Sequence, residues 1–79
     1  MNFECTEYFL NVVWKYKRPY LKMSWIEQVI ESPEKQETQP DGRIKFWAYI
    51  PELERHLRVV MLADGKTIHN AFPDRGFKV

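Results

Sequence analysis

The stretch HLRVVMLADGKTIHNAF, residues 56–72, decides the fold. Asp64–Gly65 is a dipeptide favoured in two-residue hairpins, and apolar residues alternate with others on both sides of it, the period of a half-buried strand. With Asp64 and Gly65 as the loop, register follows by counting outward. Ala63 faces Lys66, Met61 faces Ile68, Val60 faces His69, Arg58 faces Ala71 and Leu57 faces Phe72. Leu57, Val59, Met61, Ile68 and Phe72 then form a core side. Arg58, Val60, Leu62, Thr67 and His69 share the other side, with Arg58 and His69 as diagonal cross-strand neighbours roughly 7–8 Å apart at the backbone. A slip of one residue would expose Ile68 and Phe72.

The segment before it extends the same sheet. Pro40–Asp41–Gly42 is turn chemistry, and RIKFWAYI at 43–50 alternates. Ile44, Phe46, Ala48 and Ile50 take one face, and Arg43, Lys45, Trp47 and Tyr49 the other. Strands are therefore expected at 43–50, 56–63 and 66–72, with a further short one near 35–39. The first half is helical in pattern. Tyr8, Phe9, Val12, Val13 and Tyr16 form one stripe over residues 6–16, and Arg18–Pro19 ends it. A second helix over 24–32 opens at Ser24, with Glu27 completing a capping box. Trp25, Ile26, Val29 and Ile30 make its stripe, and Pro33 lies just past its end. The fold class is α+β: two N-terminal helices packed on one face of a three- to four-stranded antiparallel meander.

At 79 residues, with 44% hydrophobic and 15% aromatic content, the whole chain 1–79 reads as one domain with one core. A chain this small buries roughly 60% of its unfolded surface. No apolar run reaches the ~20 residues needed to span a bilayer, and no charged-then-apolar leader opens the chain. A single cysteine, Cys5, cannot form an internal disulfide. A cytoplasmic location without membrane association is the expectation.

The net charge of +1 hides a segregation. Lys15, Lys17, Arg18 and Lys22 cluster without an acid among them. Glu27, Glu31, Glu34 and Glu37 follow, relieved only by Lys35. From Arg43 onward, seven basic residues stand against four acidic ones. A charge run usually means only a solvated face. On the open side of the sheet, though, cations, aromatic rings and a histidine come together, a combination suited to single-stranded RNA. Asp74 beside Arg75 could form a structural pair. No His, Cys and carboxylate cluster has metal-ligand spacing and no Gly-rich phosphate loop is present, so the reading calls for no metal and no cofactor.

Two short helices, a meander and the ending LRVVMLADGKTIHNAFPDR resemble small toxins of the RelE/ParE superfamily, nearest to BrnT-like branches, over about residues 3 to 78. The resemblance implies a curved antiparallel sheet with helices on one face. It also implies a toxin–antitoxin toxin: a metal-independent endoribonuclease in which the RNA 2′-hydroxyl attacks the adjacent phosphate. Carried over by position, Arg58, His69 and Arg75 are the catalytic residues. Lys45, Trp47, Tyr49 and Lys78 are the RNA contacts, and RNA or the ribosome and an antitoxin protein are the partners. The alternative is a non-catalytic module that keeps this fold and binds protein or nucleic acid.

Overall fold

A computed structural model describes residues 3–77 of the chain. Five strands form one sheet: β1 (Glu4–Cys5), β2 (Lys35–Thr38), β3 (Ile44–Ile50), β4 (Arg55–Met61) and β5 (Thr67–Pro73), in the spatial order β1-β5-β4-β3-β2. β2 to β5 are the expected antiparallel meander. β1, which the alternation pattern does not reveal, adds a parallel strand on β5, so the sheet is mixed. Two helices precede the meander, α1 (Phe9–Lys17) and α2 (Met23–Glu31). No helix among the described residues is long and apolar enough to cross a membrane.

The core lies where the alternation of β3 and β4 places it. Phe46, Ala48 and Ile50 join Leu57, Val59 and Met61, and β5 adds Ile68 and Ala71. Phe9 and Val13 of α1, and Ile26 and Val29 of α2, close over this face. α2 covers β3 and β4 while α1 covers β5.

The two helices depart from expectation in different ways. α1 is wound as a π-helix, and the Arg18 N–H donates to the Val13 carbonyl five residues back, at 2.7 Å. The expected single stripe splits: Phe9 and Val13 are buried, whereas Tyr8, Val12 and Tyr16 are exposed. α2 begins at Met23, with Lys22 at the N-cap and no side-chain cap. Ser24 and Glu27 lie inside the helix, so the expected capping box is not formed.

The β4–β5 hairpin also departs from the expected register. Leu62 N–H donates to the Thr67 carbonyl (2.9 Å), and the connection is a four-residue loop rather than two. The Asp64 carboxylate holds that loop, accepting from Lys66 N–H, Thr67 N–H and the Thr67 hydroxyl. Those bonds keep its carboxyl below the ordinary range, the Thr67 hydroxyl contributing most. Gly65 supplies the left-handed residue the loop needs, at φ +71°. Met61 does face Ile68, but the ladder then slips by one between Val60 and Met61. Beyond this bulge Val60 faces Asn70, Val59 faces Ala71, Arg58 faces Phe72 and Leu57 faces Pro73. His69 is the residue left over. A bulge turns two consecutive side chains toward one partner and bends the strand, so the faces beyond it exchange. Ala71 enters the core at zero exposure, and Phe72 moves to the open side with Arg58.

β1 reaches only Thr67 and Ile68, leaving the rest of β5 as an edge. That edge is blunted locally: Ala71 N–H donates to the Asn70 side chain at 2.9 Å, and Pro73 has no N–H to offer.

The bulge makes a direct prediction. Ala71→Leu should overpack the core and cost about 1–3 kcal/mol in chemical unfolding. In an unbulged hairpin Ala71 would face the open side with Arg58, and a leucine there would be tolerated.

Candidate functional site

The open face of the sheet was the expected site, and Trp47 is its centre. Alternation on β3 turns the indole away from the helices, yet it is only 5% exposed. Arg58 covers it at 5.2 Å, Lys35 at 5.4 Å and Lys45 at 6.0 Å, measured from each cationic group to the ring centre. The Phe77 ring lies against it at 5.7 Å. Trp47 is thus a floor beneath cations and a ring, with no free face on which a base could stack.

Asp74 ties this cluster together. Its Oδ2 accepts from Trp47 Nε1 at 2.9 Å, from Arg58 Nη2 at 2.8 Å and from Arg58 Nε at 3.1 Å. Its Oδ1 accepts from Gly76 N–H at 3.0 Å, which turns the chain back so that Phe77 reaches Trp47 and His56. Asp74 therefore pairs with Arg58 and not with its neighbour Arg75. The carboxylate side chain is only 12% exposed. Burial opposes its charge, but the bonds from Trp47, Arg58 and Gly76 outweigh that and hold its carboxyl below the ordinary range. Arg58 is held on both sides as well, since its guanidinium also sits 4.9 Å from the Phe72 ring centre.

His69 is elsewhere. Arg58 faces Phe72, so His69 stands three residues along β5, about 10 Å away at the strand rise. The two are not diagonal neighbours, because the bulge consumes His69 as its extra residue. Its Nδ1 lies 3.2 Å from the Thr6 hydroxyl and its ring 5.3 Å from that of Tyr8. The Thr6 oxygen already accepts from Phe9 N–H at 3.0 Å, which leaves its proton for an imidazole nitrogen. Partial burial lowers the imidazole pKa, and Arg43 lowers it further. That direction favours the neutral ring, which fits an acceptor role at Nδ1.

The remaining expected residues are dispersed. Lys45 pairs with Glu37 at 3.7 Å. Tyr49 is half-exposed, with its N–H on Glu34 and its ring edge-on to His56. Arg75 is exposed in the turn after β5, and Lys78 lies outside the described residues. Arg58, His69 and Arg75 are not gathered around one point in this arrangement.

A second pair, unmarked by any motif, stands beside this cluster. His56 Nε2 lies 2.9 Å from Glu34 Oε1, and Phe77 stacks on the imidazole at 4.1 Å. Glu34 also accepts from Tyr49 N–H, and these bonds lower its carboxyl pKa, the Tyr49 bond most. Glu34 precedes β2, so the pair staples the end of α2 to β3 and β4. No sequence signal connects residues 22 positions apart.

Charge pairing separates this face from the helix side. Lys35 and Lys45 meet Glu37, Arg43 meets Asp41, His56 meets Glu34 and Arg58 meets Asp74. Among the described residues, no ion pair involves Lys15, Lys17, Arg18 or Lys22, and Arg55 and Arg75 are solitary. The unopposed positive charge therefore concentrates at the end of α1 and in the connection to α2. Tyr16 there is 72% exposed and Tyr20 50% exposed. Beside them, Leu10, Trp14, Lys15, Pro19 and Leu21 line an open groove of about 380 Å³.

No family model, curated protein or solved structure matches the chain.

The Asp74 hub predicts a pH signature. A carboxylate whose folded pKa is depressed adds stability above its unfolded pKa and loses it as pH falls through the folded value. Asp74→Asn should cost about 1–3 kcal/mol at pH 7, by leaving Arg58 without its partner. The gap between variant and wild type should close below about pH 4. A gap unchanged from pH 7 to pH 3 would contradict the hub.

Proposed function

We propose that this chain acts by binding, as a non-catalytic module that presents the basic, aromatic end of α1 to an anionic partner. One observation carries this reading: the cations of the sheet face are matched to carboxylates, and those of residues 15–22 are not. A guanidinium already shared between a carboxylate and two aromatic rings has little left for a phosphate. Cations without a carboxylate partner keep more of their field for an incoming anion. RNA and an acidic antitoxin-like protein are both anions of this kind.

An endoribonuclease, as the resemblance implies, is the second reading. The observation that favours it is His69, an imidazole held in orientation by Thr6; to act as a general base its Nδ1 would have to release the Thr6 hydroxyl. Phosphate stabilisation would then require Arg58 to leave Asp74, and Arg75 to fold back over the sheet.

Retention on immobilised heparin tests the first reading. A variant with Lys15, Lys17, Arg18 and Lys22 all changed to Gln should elute at clearly lower salt than one with Lys35, Arg43, Lys45 and Lys66 changed to Gln. The two have equal net charge, so only the placement of charge differs. Equal or reversed elution would contradict the reading. Incubation with single-stranded RNA, with and without ribosomes, should give no cleavage. Cleavage abolished by His69→Ala in a folded protein would establish the ribonuclease instead.

A further inference from the structure

The geometry points to the groove on α1 as the docking site for an acidic amphipathic helix of another protein. This rests on the binding reading above and names the partner class. The groove is shallow and open, and apart from Lys15 its lining is apolar: Leu10, Pro19, Leu21 and the indole of Trp14. Leu10 is 40% exposed, and Tyr8, Val12 and Tyr16 of the same segment are exposed as well. From Tyr8 to Ile26 the chain contains no carboxylate. Lys15 lines the groove, and Lys17 and Lys22 lie within a few residues of its lining in the chain, so an occupant meets positive charge that no acid of this segment offsets. An occupant must bring apolar side chains at one-turn spacing and acids on the flanks of the same segment, the helix-in-groove mode of recognition.

Within the groove itself the lining favours an apolar side chain over a base. A nucleic-acid base needs an open ring face. The Trp14 ring instead stacks toward Phe9 at 6.0 Å, and its N–H is committed to the Leu21 carbonyl at 2.8 Å. The groove is open and lined mainly by apolar side chains, so it can receive leucine or phenylalanine side chains from a docked segment.

The test is a display selection against the whole protein, using a library of helix-forming peptides about 15 residues long. Enriched peptides should carry an apolar pair at i and i+4 flanked by Asp or Glu. Binding should shift the amide signals of Leu10, Lys15 and Leu21 and the indole signal of Trp14. Leu10→Ser and Lys15→Glu should each weaken binding by about tenfold or more without changing the thermal midpoint. Selection that yields no binder, or binders indifferent to both substitutions, overturns the proposal. Two parallel probes separate its failure from that of the broader reading: a single-stranded RNA oligonucleotide and phosphatidylserine–phosphatidylcholine vesicles. If either binds through Lys15, Lys17, Arg18 and Lys22 while no peptide does, the partner class is wrong and the basic surface stands. If none of the three binds there, both fall.

Discussion

At Val60 and Met61 the ladder between β4 and β5 slips by one residue, and most of what the open face does follows from that slip. Before it, Met61 and Ile68 pair as core partners. After it, Ala71 takes the core position and Phe72 stands opposite Arg58. The small alanine leaves room for α1 to lie close on β5. The phenylalanine supplies one side of the guanidinium sandwich. His69, pushed out of the ladder, finds Thr6 and Tyr8 at the edge where β1 ends.

With Arg58 placed beside Phe72 and Trp47, the end of β5 delivers Asp74 to the same spot. Three donors converge on one carboxylate oxygen, and the turn at Gly76 folds Phe77 back over the sheet. The open face thereby becomes a second, smaller packed layer, with its cations paired to carboxylates of the same face. Its aromatic and basic content serves cohesion. The connection between α1 and α2 has the opposite character: Lys17, Tyr20 and Lys22 are exposed and no acid lies between Tyr8 and Ile26.

Much of the fold was legible from alternation. Ile44 to Ile50 and Leu57 to Met61 are unbroken period-two runs, and both settle in the structure with the expected face inward. Glycine and proline marked the turns at 40–42 and 64–65. The bulge was not legible, because IHNAF contains no glycine or proline to signal an extra residue, and burial of the larger Phe72 argued for the unbulged register. β1 is too short, at two residues, to show a period. The winding of α1 was hidden because Tyr8, Phe9, Val12, Val13 and Tyr16 fit an α-helical stripe as well. At the site, the sequence correctly turned Arg58, Trp47 and Lys45 toward one face. It could not show that Asp74, 16 residues from Arg58, would claim the guanidinium. The isolated cations of residues 15–22 were visible from the start, and only the pairing elsewhere gave them weight.

The division between a charge-paired sheet face and an unopposed helix end can be observed directly by titrating the ¹⁵N-labelled protein with a heparin tetrasaccharide. Amide shifts should concentrate at residues 14–22, with the Trp14 indole moving and the Arg58 Nε–H signal unchanged. Shifts centred instead on residues 43–49, Arg58 and His69 would contradict that division, and would return the sheet face to its place as the anion site.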